Sequence, residues 1–185
     1  MKVICDRGAL VELLNLVGAV VGTRTPKPAI RCVKLTAAAG DQAALTLDAT
    51  DLEVAVRLTT QSVEVQEPGE ALIPADKFGQ IVRESIDPTL SLETEQDLAR
   101  IAGKDSRFKI FGHPVADFPP MPEFEGEADF EITAAELHLL IDLTIFATAR
   151  ENSRYAINGV LVEREDNKVV VVATDGHRLA LAKGL

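Results

Sequence analysis

The chain has 185 residues, of which 46% are hydrophobic and 26% charged, with a mean hydropathy of +0.11. That balance excludes intrinsic disorder, and the lack of any run of about 18 uninterrupted apolar residues excludes a helical membrane span. Nineteen basic against twenty-nine acidic residues leave a formal net charge of −10, so contact with nucleic acid has to come from a local basic patch rather than from the whole surface.

In chain order, MKVICDRGALVELLNLV reads as a short strand running into an amphipathic helix. Asp6, Arg7 and Glu12 interrupt its apolar run where a signal peptide needs continuity, so a cytoplasmic location is expected. The pattern recurs in ALIPADKFGQIVRESI and FEITAAELHLLIDLT. From anchors at Cys5, Ile73 and Ile132, the positions five, eight and nine residues later are Leu10, Leu13, Leu14, then Phe78, Ile81, Val82, then Leu137, Leu140, Ile141. All are apolar, and that spacing is one face of an α-helix. Asp6, Pro74 with Asp76, and Thr133 with Glu136 supply start signals. Alternating, β-branched segments follow each helix: CVKLTA, ALTLDA and LEVAVRL; LSLET, RIAG and RFKIFG; INGVLVERE, KVVVVA and RLALA. The fold class is therefore α+β, with a βαβββ unit occurring three times. Ala49-Thr50-Asp51 recurs as Ala173-Thr174-Asp175, each between two strands of its unit.

The stretch 112–129 is rich in proline, lacks periodicity and reads as a linker. The expected division is a domain over 1–118 with two units, a linker over 119–129, and a half-domain over 130–185 with one. The third helix, with Leu137, Leu140, Ile141 and Ile145, then has no partner unit to cover it. Charge is segregated along the chain. Residues 21–34 carry Arg24, Lys27, Arg31 and Lys34 with no acid, whereas 112–131 carry six acids and no Lys or Arg. Cys5 and Cys32 read as buried free thiols, and His113, His138 and His177 lack ligand spacing, so no metal or cofactor is expected. Asp175 and His177 are the one pairing of catalytic residue types, and a turn is favoured over an active site there.

Taken together, MKV at the start, GTRTPKP, LDATDLEVAV, EPGEALIPADKF, SRFKIFGHPVADFPPMP, RYAINGVLVE and ATDGHRLALA resemble, in order, the β sliding clamp family of bacterial DNA polymerase III. The resemblance implies a DNA-clamp fold in which domains of two βαβββ units form a ring, sheets outside and helices lining the hole. It implies a non-catalytic processivity factor that encircles double-stranded DNA without reading bases. The expected partners are the polymerase III alpha subunit, the clamp loader and other proteins carrying a clamp-binding motif, with a homodimer in the intact family and no membrane. By the same resemblance Arg24, Arg154 and Tyr155 match DNA-facing positions. Ile157, Thr174, Gly176, His177, Arg178 and Leu179 match one wall of a partner-peptide pocket. Lys77, Arg107, Phe108 and Ile110 match the dimer interface. The alternatives are a non-DNA protein sharing the repeat fold, or a small hydrolytic enzyme using Asp175 and His177.

Overall fold

The structure is a computed structural model and describes residues 1–22, 25, 27–121, 123, 126–150 and 157–184. It divides into two units, Met1–Glu123 and Phe124–Leu185, each taken separately below.

In the first unit, β1 (Lys2–Asp6) leads into α1 (Arg7–Gly18), where the Asp6 carboxylate accepts a 2.8 Å hydrogen bond from the Ala9 N–H and so caps the helix. There follow β2 (Cys32–Ala38), β3 (Ala44–Thr50), β4 (Ala55–Thr60), β5 (Val63–Glu67), β6 (Gly69–Pro74), α2 (Ala75–Glu84), β7 (Thr89–Glu95), β8 (Leu98–Ala102) and β9 (Arg107–Phe111). These strands form two antiparallel sheets, β4-β3-β2-β6 and β5-β1-β7-β8-β9. The leading strand of each repeat lies in the sheet of the other: β1 pairs with β7, and β6 pairs with β2. The two βαβββ units are therefore interlocked rather than merely adjacent. The sequence pattern does not single out β5, a strand that starts just after β4 and crosses to the edge beside β1.

The helices lie against each other and pack their apolar faces on the two sheets. Leu10, Leu14, Val17, Phe78 and Val82 are buried with Val33, Leu35, Leu45, Leu47, Leu92 and Ile101 in one core, and Leu13 and Ile81 pack at its margin. Each buried CH₂ in such a core stabilises by about 0.8 kcal/mol. Cys5 and Cys32 are buried free thiols, as expected. Burial and then the Asp6 charge push Cys5 up to about 12, and burial and then Asp76 push Cys32 up to about 11, so both stay protonated at neutral pH.

The start of the expected linker is fixed in place. Gly112 N–H donates to the Asp97 carbonyl at 2.6 Å and His113 N–H to the Leu72 carbonyl at 3.0 Å. A Cβ at Gly112 would collide with the Leu72 carbonyl oxygen. A short 3₁₀ helix, Val115–Asp117, continues this docked segment.

The second unit contains α3 (Ala134–Asp142), β10 (Leu161–Glu165), β11 (Lys168–Thr174) and β12 (Leu179–Lys183), the strands forming one antiparallel sheet. Thr133 caps α3 by accepting the Glu136 N–H at 3.2 Å, as the Thr-x-x-Glu spacing predicts. Two expectations change here. The segment 130–132 is not a strand, so this repeat is αβββ. In the first unit a leading strand pairs with the sheet of the other repeat, and this unit holds only one repeat. Nor is the third helix wholly uncovered: Leu140 is buried against Val169, Val171 and Ala182. The apolar side chains left outside are Leu139, Leu143, Ile145 and Phe146.

Candidate functional site

The Thr-Asp turn after each central strand is the clearest local construction shared by the two units. Between β3 and β4, the Asp51 carboxylate accepts the N–H groups of Glu53 at 2.9 Å and Val54 at 2.7 Å. Thr50 Oγ1 donates to the Val54 carbonyl at 2.7 Å and accepts the Leu52 N–H at 3.0 Å. Between β11 and β12, Asp175 accepts from His177 and Arg178 N–H, both at 3.0 Å, and Thr174 Oγ1 donates to the Arg178 carbonyl at 2.7 Å and accepts the Gly176 N–H at 3.1 Å. The third position is left-handed in both turns: φ is 81° at Leu52 and 86° at Gly176. Backbone N–H donors hold both aspartates below the usual carboxylate range, with Arg178 adding to this at Asp175.

This construction accounts for the catalytic-looking pair. The Asp175 oxygens are taken by two backbone N–H groups and by the Arg178 guanidinium at 2.9 Å, and they receive the backbone of His177, not its imidazole. His177 projects from a turn rather than sharing a strand face with Asp175.

Thr174, Gly176, His177, Arg178 and Leu179 thus lie on one turn at the end of the sheet. Leu179 and Ile157 are both more than half exposed, and the Ile157 carbonyl accepts the Ala149 N–H at 3.0 Å. Arg178 also sits over the Phe146 ring, 5.7 Å from its centroid, inside cation–π range. Phe146 was not singled out from the sequence, because this contact joins segments 32 residues apart with no shared motif.

Of the expected DNA-facing residues, Arg24, Arg154 and Tyr155 lie outside the described residues. Within the described helix pair, Arg7 donates to the Arg83 carbonyl at 3.5 Å, and Arg83 reaches Asn15 Oδ1 at 3.4 Å. Sequence reasoning assigned neither arginine to DNA: Arg7 opens α1 ahead of its first buried position, Leu10, and Arg83 follows the last buried position of α2, Val82. Lys27 and Arg31 are exposed, whereas Lys34 pairs with Glu70 at 2.7 Å.

The expected interface residues gather at one sheet edge. β9 is an outer strand, Arg107 is exposed, Phe108 is 40% exposed and Phe111 80%. Lys77 lies exposed in the first turn of α2. Ile110, on the same strand, is 4% exposed and belongs to the core. It shares a strand face with Phe108, two residues away, with Ala99 opposite Ile110 and Ile101 opposite Phe108 in the adjacent strand.

Comparison with known proteins covers nearly the whole chain. The family model described as DNA polymerase III beta subunit, N-terminal domain, matches residues 1–122, and that of the central domain matches 131–184. The Beta sliding clamp of Escherichia coli strain K12 is 36% identical over 184 residues, which is 98% of this chain and 49% of that protein. The Beta sliding clamp of Haemophilus influenzae is 36% identical over 182 residues, again 98% of this chain and 49% of the relative. The chain therefore spans about half the length of the curated relatives it matches. A crystal structure of a sliding clamp from Pseudomonas aeruginosa bound to griselimycin superimposes with a TM-score of 0.88 at 35% identity, over 100% of this chain and 49% of that one. With both domain models matched in order and the DNA-clamp fold shared, the chain belongs to the DNA polymerase III beta subunit family.

Proposed function

We propose that this chain acts as part of a sliding clamp, a ring that encircles double-stranded DNA and tethers the replicative polymerase in the cytoplasm. The observation that carries the reading is the interlocked pair of βαβββ repeats over the first unit, which sets α1 and α2 side by side behind two sheets. In this reading residues 1–118 are a whole clamp domain, 119–129 the linker, and 130–185 the first half of the next domain. The work is topological and asks no side chain for bond chemistry.

Arg24, Arg154 and Tyr155 meet the DNA phosphates, and Arg7 and Arg83 on the helix pair join them. Such contacts neutralise backbone charge without reading sequence, which reconciles a basic lumen with a net charge of −10. Ile157, Thr174, Gly176, His177, Arg178 and Leu179 form one wall of a groove for short motifs from the polymerase alpha subunit and the clamp loader. Lys77, Arg107 and Phe108 meet a second subunit along the β9 edge, to which Ile110 contributes backbone only.

The test is fluorescence anisotropy of a linear 30-base-pair duplex over a salt series. Weak, sequence-independent binding is expected, with a log–log salt slope that falls by at most about two units in the Arg24→Ala, Arg154→Ala double variant. An unchanged slope would remove the DNA assignment of those residues. Griselimycin, found bound to the Pseudomonas aeruginosa clamp, serves as the groove probe, and Leu179→Asp is expected to abolish its binding by placing a charge on the apolar wall.

A further inference from the structure

We propose that the first unit carries its own peptide-binding cleft, separate from the groove assigned to the second unit, at the turn between β3 and β4. The cavity there has a volume of about 330 Å³; Pro28, Ile30, Leu52 and Pro119 give it an apolar lining, and Lys27, His113 and Asp117 are its polar lining residues. Its size is at the lower end of the roughly 300–1,000 Å³ of small-ligand sites, which suits one or two aliphatic side chains of an extended segment and not a folded domain.

The strongest indication is Leu52 itself. Its backbone is held at φ 81°, where an L-residue pays a steric cost that glycine at the matching Gly176 avoids. Its side chain is nonetheless 58% exposed, so the strain is not offset by burial in the core. Backbone strain that projects an apolar side chain into a cleft is the kind of outlier from which a binding role is inferred. The position also has a history inside the molecule. Pairing Lys34 with Asp48 and Leu161 with Val172 aligns the two sheets, and on that alignment Ile30 falls where Ile157 does and Leu52 where Gly176 does. The same framework of strand, turn and preceding loop is thus furnished with a different wall in each unit.

The occupant is a short extended peptide with an aliphatic residue next to an acidic one. The apolar floor takes the aliphatic side chain. The Lys27 side chain is exposed and its ammonium has no carboxylate partner among the described residues, so it is free to pair with the peptide carboxylate. Asp117, also in the lining, disfavours a second acidic residue in the peptide. The inference needs only the cleft and the internal duplication, and it stands whether or not the chain works on DNA.

The experiment is methyl-detected NMR of the 185-residue protein titrated with the blocked pentapeptide acetyl-GDLLG-amide. Saturable shifts are expected at the Ile30 and Leu52 methyl groups. Leu52→Gly keeps the turn and removes the wall, and Lys27→Glu reverses the charge at that position; each is expected to weaken binding about tenfold. Lys27→Glu is further expected to prefer acetyl-GKLLG-amide. The other unit 1 methyl signals show that both variants remain folded. Shifts confined to residues 174–179, affinity unchanged in both variants, or no shift at about 10 mM peptide would each overturn the proposal.

Discussion

Leu52 and Gly112 show two opposite ways in which one backbone position is constrained. Leu52 stays in left-handed space because Thr50 and Asp51 together fix the turn, at a strain of about 1–2 kcal/mol. Leu52→Gly gives up little buried surface and costs about 0.4–1 kcal/mol of extra unfolded-chain entropy. A net gain of about 0.5 kcal/mol is therefore expected, readable as a rise of about 1–2 °C in Tm. Gly112 is constrained by space rather than by φ, since any Cβ would meet the Leu72 carbonyl. Gly112→Ala is expected to cost about 1–3 kcal/mol, because backbone, and not the end of a flexible side chain, has to move. Equal Tm values for the two variants would contradict this contrast. Asp51 and Asp175 set the acid limit of their turns. Their folded values lie below the ordinary 3.8, so the stability they contribute is fully present above that value and is lost as pH falls through the lowered folded values. Melting curves from pH 6 down to about pH 2 are expected to show a smaller acid loss for Asp51→Asn and Asp175→Asn than for the parent chain. These turns were legible beforehand because Thr-Asp recurs and both side chains bond locally. The Arg178 stacking on Phe146 was not, since nothing local links them.

At the scale of elements, helices were easier to read than sheets. The apolar positions of α1 and α2 follow from a local period of 3.6 residues: of the six that the spacing indicates, Leu10, Leu14, Phe78 and Val82 are buried, Leu13 and Ile81 pack at the core's margin, and Val17, one turn further on, is buried as well. Strand partners do not follow from any local period. That β1 belongs with β7 and β6 with β2 is decided 83–91 residues apart in one case and 32–42 in the other, and β5 is inconspicuous because only two residues separate it from β4. The same non-local rule explains why 130–132, so similar to the segments that lead into α1 and α2, is not a strand here. An element that leans on fewer buried neighbours opens at lower free energy. β11 rests on a small core of Leu140, Val169, Val171 and Ala182, whereas β3 contributes Leu45, Leu47 and Ala49 to the large one. Hydrogen exchange is thus expected to protect the β3 amides more than those of β11, although both are central strands with two antiparallel neighbours. Equal protection would mean that the second unit is stabilised by something other than its own core.

For the molecule as a whole, the two units present unequal surfaces. Ten of the sixteen large hydrophobic side chains exposed among the described residues belong to the second unit, although it is the shorter. One cross-strand row makes the difference concrete. On the first unit's sheet, Lys34, Asp48 and Arg57 lie side by side, with Asp48 and Arg57 joined at 2.8 Å. On the second unit's sheet, the matching row is Leu161, Val172 and Leu181, of which both leucines are 53% exposed. Exposed apolar patches of this kind promote association, and a second copy of the chain supplies the same patch. Transplanting the polar row, as Leu161→Lys, Val172→Asp and Leu181→Arg together, is expected to lower self-association in sedimentation velocity while leaving the first unit's fold intact. The β9 edge offers a competing route, through Phe108 and the unpaired outer side of the strand. The two are separable, since Phe108→Glu leaves the row untouched and the triple variant leaves the edge untouched. If association survives the triple variant and disappears with Phe108→Glu, it runs through the clamp-type edge and not through the second unit's open sheet face.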